Sequence, residues 1–178
     1  MNEEEIYARV IFQLTTAVHE AFHPDRSPFP ALILLYSSLD IISSLNRPTH
    51  QLDTGKKVFM DWVDDYMLCG STQKCCSADV YAARCGIVHT LSLDSLLSRV
   101  GKARRISYVT DDTKVGLLQT RIDPTEQREI VVDFVTFGQS FINGAVAFTK
   151  DVDGGGEVRK RVFHHVRNLA GVLHLKTS

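Results

Sequence analysis

The chain has almost no net charge: 20 Lys and Arg stand against 21 Asp and Glu, leaving -1 at neutral pH. That excludes a broadly basic surface as the main attraction for nucleic acid, while leaving room for a local patch. Long apolar runs are missing too. The longest, near residues 31–36, is far too short to span a bilayer. The acidic N-terminus Met-Asn-Glu-Glu-Glu-Ile lacks the basic and apolar regions of a secretory signal. There is no internal repeat and no low-complexity linker. Cys69, Cys75, Cys76 and Cys85 show no paired Cys-x-x-Cys spacing, which speaks against a zinc knuckle; without a secretory context they read as reduced thiols. The triple glycine at 154–156 follows a helical stretch and lacks the lysine of a phosphate-binding loop, so it reads as a helix break. Together these absences predict a soluble cytoplasmic protein with no membrane association, no metal and no cofactor.

What is present is enough for one sizeable core: 178 residues, 44% of them hydrophobic. Asn2 followed by Glu3, Glu4 and Glu5 opens a first helix with Ile6, Val10, Leu14, Ala17, Val18 and Ala21 as its core face, ended by Pro24. Residues 31–45 form a second helix, apolar nearly all round except for the narrow stripe Ser37, Asp40 and Ser44, and therefore central. Asp53 or Thr54 opens a third, whose inner face is Val58, Phe59, Trp62, Val63, Tyr66 and Met67. A fourth runs from an N-cap at Ser77 to Leu91, and a short turn at 96–100 stops at Gly101.

Beyond residue 101 the pattern changes. Two β-prone runs, 106–110 and 129–135, flank a short helix around Val115 and Leu118 that closes at Asp123-Pro124; their pairing, parallel or antiparallel, is left open. Phe137, Phe141, Ala145 and Phe148 begin a further helix, and Val158, Val162, Val166, Leu169 and Leu173 mark a last one after the glycines. The chain thus reads as a mainly α bundle over residues 1–101 with a small two-stranded α/β extension and two C-terminal helices over 102–178, packed as one compact domain.

The fourth helix carries the chemistry. Taking about 100° per residue, Arg84 lies within about 40° of Val80 on the apolar stripe, while His89 lies about 180° from Val80. A charged arginine on a core-facing stripe needs a partner, and Asp40 or Ser37 on the neighbouring helix can supply it. The separation of about 140° between Arg84 and His89 predicts that one straight helix does not bring them together and that a twofold dimer does.

The run Val80-Tyr81-Ala82-Ala83-Arg84-Cys85-Gly86-Ile87-Val88-His89 resembles the signature of HEPN-domain proteins, an arginine and a histidine separated by four to six residues. Tyr36-Ser37-Ser38-Leu39-Asp40 resembles the polar-containing central helix of those bundles, and the likeness covers roughly residues 1–100. It implies an antiparallel bundle of four or five helices, a homodimer, and cleavage of RNA without metal, in toxin–antitoxin or defence systems, with a cognate antitoxin or nucleotidyltransferase as partner. The site residues it implies are Arg84 and His89, with Asp40, Ser37 and Tyr81 in support. A 2′-hydroxyl attack on the adjacent phosphate needs proton transfer, suited to His89, and paired donors for the phosphorane, suited to Arg84. Lys102, Arg104 and Arg105 follow the helix as a candidate RNA-backbone patch. Arg159 to His164 and Arg167 to His174 repeat the spacing, but their surroundings read as a basic outer face.

Two alternatives stand beside this. Cys85 occupies the position where catalytic members commonly carry Asn, Asp or another polar residue, which points to a non-catalytic dimerisation or RNA-binding protein. His19-Glu20-Ala21-Phe22-His23 matches His-Glu-x-x-His, whose histidines share a helical face and can hold zinc with the glutamate as base, which points to a zinc hydrolase.

Overall fold

The computed structural model describes residues 2–23, 25–111, 113–121 and 128–173, with side chains to Arg167 except those of Thr113 and Arg121. It is mainly helical: α1 (Glu3–Ala21), α2 (Pro28–Leu45), α3 (Lys56–Trp62) running into a π-helical turn (Val63–Met67), α4 (Ser77–Thr90), α5 (Leu96–Arg99), β1 (Arg105–Val109), α6 (Thr113–Arg121), β2 (Glu129–Asp133), α7 (Phe134–Asp153) and α8 (Gly156–Leu173). Pro24, the Asp123-Pro124 turn and the side chains of Leu169 and Leu173 lie outside the described residues.

Local chemistry starts these elements. Asn2 and Glu5 form a reciprocal capping box: Asn2 Oδ1 accepts from Glu5 N–H at 2.8 Å and Glu5 Oε2 from Asn2 N–H at 3.0 Å. The chain enters α2 through Ser27 and Pro28, whose missing N–H costs nothing in a first turn. By length and composition α2 is the one helix among the described residues apolar enough to cross a membrane. Leu35, Tyr36 and Leu39 are sealed inside the protein, so that apolarity is used in the core. Helix α3 starts later than Asp53 or Thr54, from Gly55. Its extension into the π turn, marked by Leu68 N–H donating to Val63 C=O at 2.8 Å, has no sequence signature.

The bundle and the later segment share one core. Phe134, Phe137, Phe141, Ala145 and Phe148 make α7 its central member, with Trp62 and Tyr66 ringed around Phe148. Gly144 is required there: a Cβ would stand 2.9 Å from Met67 Cα, so the backbone of α7 lies directly on the π turn. The division at residue 101 therefore separates elements by kind but not by core. The two strands pair in parallel, in a register that sets Arg105 opposite Glu129 and Val109 opposite Asp133, with α6 as the crossover. Asp133 ends β2 and caps α7 at once, its Oδ1 accepting from Thr136 N–H at 2.6 Å.

Candidate functional site

Helix α4 is fixed at its start by a carboxylate. Asp79, almost fully buried, accepts the N–H of Cys76 at 3.1 Å, which makes Cys76 the cap residue in place of the expected Ser77. Ser77 instead donates its hydroxyl to Asp64 Oδ2 at 2.7 Å. Asp79 also takes the backbone N–H of Arg104 at 2.7 Å and its guanidinium at 3.0 Å (Nε) and 2.6 Å (Nη2), tying α4 to the entry of β1. The far end is closed by Leu91 in the left-handed region (φ 51°) and by Ser92 N–H donating back to Gly86 C=O at 3.1 Å. A Cβ on Gly86 would stand 2.5 Å from Ser92 O, so the glycine inside the Arg84–His89 interval permits this return.

Between these ends Arg84 meets Asp40 of α2. Nε donates to Oδ1 at 3.1 Å and Oδ2 at 2.8 Å, and Nη2 donates to Oδ2 at 2.7 Å. The two side chains are 21% and 29% exposed, half-withdrawn from water at the rim of the core. Burial disfavours the cation, but the carboxylate outweighs it and raises the Arg84 pKa. Ser37 lies one turn away on α2, half-buried, and among the described residues forms no hydrogen bond with Arg84.

The remaining edge of the guanidinium points at His89: Arg84 Nη1 lies 2.8 Å from His89 Nε2 within a single chain. This corrects the expectation that one helix keeps them apart. A helical-wheel angle locates Cβ atoms, whereas five residues span only about 7.5 Å of helix, within reach of an arginine side chain lying along the surface. A guanidinium has no acceptor, so His89 Nε2 accepts, and the imidazole in this arrangement is neutral with its proton on Nδ1. His89 is exposed.

Tyr81 lies one turn before Arg84. Burial, then the Cys85 thiol, raises the pKa of its hydroxyl, which the Arg84 charge opposes. The ring edge packs on Phe59 at 5.5 Å between centroids, and Lys56 Nζ stands 5.5 Å above the ring. Lys56, the first residue of α3, is exposed and has no carboxylate partner among the described residues. No pattern in the sequence joins it to a residue 25 positions on; only the packing of α3 on α4 does.

The expected basic patch is largely absent. Arg104 is consumed by Asp79 and by Lys74 C=O at 3.0 Å, and Arg105 by Glu129, opposite it in the sheet, at 2.5 Å, with Asp94 at 3.8 Å. Lys102 alone of the three is exposed. The cause is long-range pairing, which local charge does not report. The C-terminal arginines are likewise not an open basic face: Arg159 pairs with Glu4 and covers the Phe163 ring, and Arg167 pairs with Glu3 at 2.8 Å, so they staple α8 to the acidic first turn of α1. His174 lies outside the described residues.

The histidines of His19-Glu20-Ala21-Phe22-His23 do not share a helical face, because α1 ends at Ala21 and Phe22 is its cap. His23 turns toward Asp25 at 3.5 Å instead. Among the described residues no three His, Cys, Asp or Glu side chains converge as a metal site. No family model, no curated protein and no solved structure matches the chain, so the reading of the site rests on its own geometry.

Proposed function

We propose that the protein is a metal-independent endoribonuclease of HEPN type. One observation carries this reading: Asp40 holds Arg84 by its Nε and Nη2 edge, leaving Nη1 directed at the exposed His89 imidazole. In the free protein Arg84 Nη1–H donates to His89 Nε2. A phosphodiester oxygen that accepts the Nη1–H hydrogen bond in place of the imidazole, the guanidinium keeping its proton, frees the Nε2 lone pair, which then removes the proton of the neighbouring 2′-hydroxyl. The alkoxide attacks phosphorus, Arg84 stabilises the phosphorane charge, and the 5′-oxygen leaves with the proton from the imidazolium; the product carries a 2′,3′-cyclic phosphate. Lys102 offers a further backbone contact. The exposed Leu91, Leu93, Leu96 and Val100, just beyond the motif, suit the apolar core of a homodimer interface.

The test is cleavage of a single-stranded RNA in EDTA. The expected result is a 2′,3′-cyclic phosphate product and a rate about 10²–10⁴-fold lower in His89→Ala. Arg84→Ala and Asp40→Asn, alone and together, are expected to be non-additive, since Asp40 acts through Arg84; misplacing the guanidinium alone costs about 10²-fold. Absence of cleavage, or cleavage indifferent to His89→Ala, refutes the proposal. A second reading, an RNA-binding module without turnover, is favoured by the same Arg84–His89 bond, which occupies the lone pair a base needs. RNA binding without cleavage selects it.

A further inference from the structure

The site described above leaves one nearby cation without a task. Lys56 belongs to a different helix from Arg84, yet packing brings its Nζ over the ring of Tyr81, one turn before Arg84 on α4. Its neighbour Lys57 is neutralised by Asp61 at 2.6 and 2.8 Å, so of the two lysines opening α3 only Lys56 keeps an uncompensated charge. Phe59, itself fully buried, braces the Tyr81 ring edge-on and fixes the platform beneath the ammonium. An ammonium over an aromatic face is held by the ring quadrupole while its N–H groups remain free to donate to an anion.

We infer that Lys56 and Tyr81 form a second phosphate subsite, which binds a phosphate of single-stranded RNA flanking the one held at Arg84 and His89. The inference rests on the ribonuclease reading for the choice of RNA, but the subsite does not depend on turnover. Two features of its geometry favour a nucleic-acid strand. The cations lie in sequence along one face, Lys56 over Tyr81 and then Arg84 one turn further along α4. Tyr81 and Arg84, three residues apart, are neighbours on one face of α4. The aromatic ring between two cations is the combination with which single strands are tracked, through backbone charge and base or sugar stacking.

The discriminating experiment measures binding apart from cleavage. A fluorescent 2′-deoxy oligonucleotide, which cannot be cut through a 2′-hydroxyl, is titrated with the full chain by anisotropy across about 50–200 mM salt. Lys56→Gln is expected to weaken binding and to make the slope of log K against log salt shallower by about 0.7, the contribution of one single-strand phosphate contact. Lys57→Gln is expected to leave the slope unchanged, and Tyr81→Leu, which removes the platform, to reproduce part of the Lys56→Gln loss. Lys56 is exposed, so its removal does not threaten the fold. An unchanged affinity and slope in Lys56→Gln overturns the subsite even if the protein cuts RNA. Lys56-dependent binding by a protein that cuts nothing supports the subsite and refutes the ribonuclease. No binding by the wild-type chain overturns the subsite.

Discussion

Replacing Asp79 by alanine is expected to destabilise the protein by about 3 kcal/mol. The magnitude follows from what the carboxylate holds: two backbone N–H groups, those of Cys76 and Arg104, and the Arg104 guanidinium. Removing one partner of a buried ion pair costs about 3–5 kcal/mol, because the survivor remains desolvated and unpaired. Asp79 is 2% exposed but Arg104 is 35% exposed and recovers some hydration, which places the loss at about the low end of that range. In urea, with an m-value of about 2 kcal/mol/M, the midpoint falls by about 1.5 M. Asp79→Asn keeps an acceptor and loses the charge, so its loss is smaller. The pH dependence gives a second check. Burial raises the Asp79 pKa, but Arg104 and the two N–H groups outweigh it and hold the carboxyl below its ordinary 3.8. A depressed carboxyl contributes stability that is present above 3.8 and is lost as pH falls through the folded value, so wild type and Asp79→Asn converge in acid. Urea melts with an Asp79→Ala loss below about 1 kcal/mol at neutral pH and an unchanged m-value, or a gap to Asp79→Asn that persists in acid, refute the reasoning.

Two further outcomes follow from single contacts. Gly86→Ala gains about 1 kcal/mol in helix propensity but drives a Cβ to 2.5 Å from Ser92 O; overpacking costs about 1–3 kcal/mol, so thermal melts should show a net loss and activity should fall as the turn after His89 shifts. His165, buried on α8, donates Nε2–H to Arg47 C=O at 3.0 Å, and its buried Nδ1 has no partner among the described residues. Burial therefore lowers its pKa, and its contribution is full above the ordinary 6.5 and lost as pH falls toward the folded value. Urea midpoints measured across that range should decline in wild type and flatten in His165→Gln; equal slopes refute a buried neutral histidine.

What the sequence made legible is what local spacing determines. Asp40 lies on the polar stripe of α2 and Arg84 on the apolar stripe of α4, and two packed helices bring those stripes together; the pair is visible because each residue is anomalous on its own face. The phenylalanines of α7 recur at helical spacing and end in the core. The π turn was not legible, because its signature is a gap in α7 at Gly144, some 80 positions away, and no residue inside Val63–Met67 demands it. Arg104 and Arg105 read as a patch for the same reason. Their partners, Asp79 and Glu129, lie 25 and 24 positions distant, and Glu129 is reached only once the parallel register is known.

The same distinction governs the site. A wheel projection treats Arg84 as a point, yet its guanidinium reaches both Asp40 on α2 and His89 at the end of its own helix. That reach removes the geometric need for a second chain to bring the two motif residues together. On the ribonuclease reading, a dimer that forms through Leu91, Leu93, Leu96 and Val100 would then act on access and substrate path, since Arg84 and His89 already meet within one protomer. Dilution therefore separates the two roles. If the protomer is sufficient, specific activity extrapolated below the dimer dissociation constant stays finite and still depends on His89. Activity that vanishes with the square of protein concentration returns the partner to the chemistry itself.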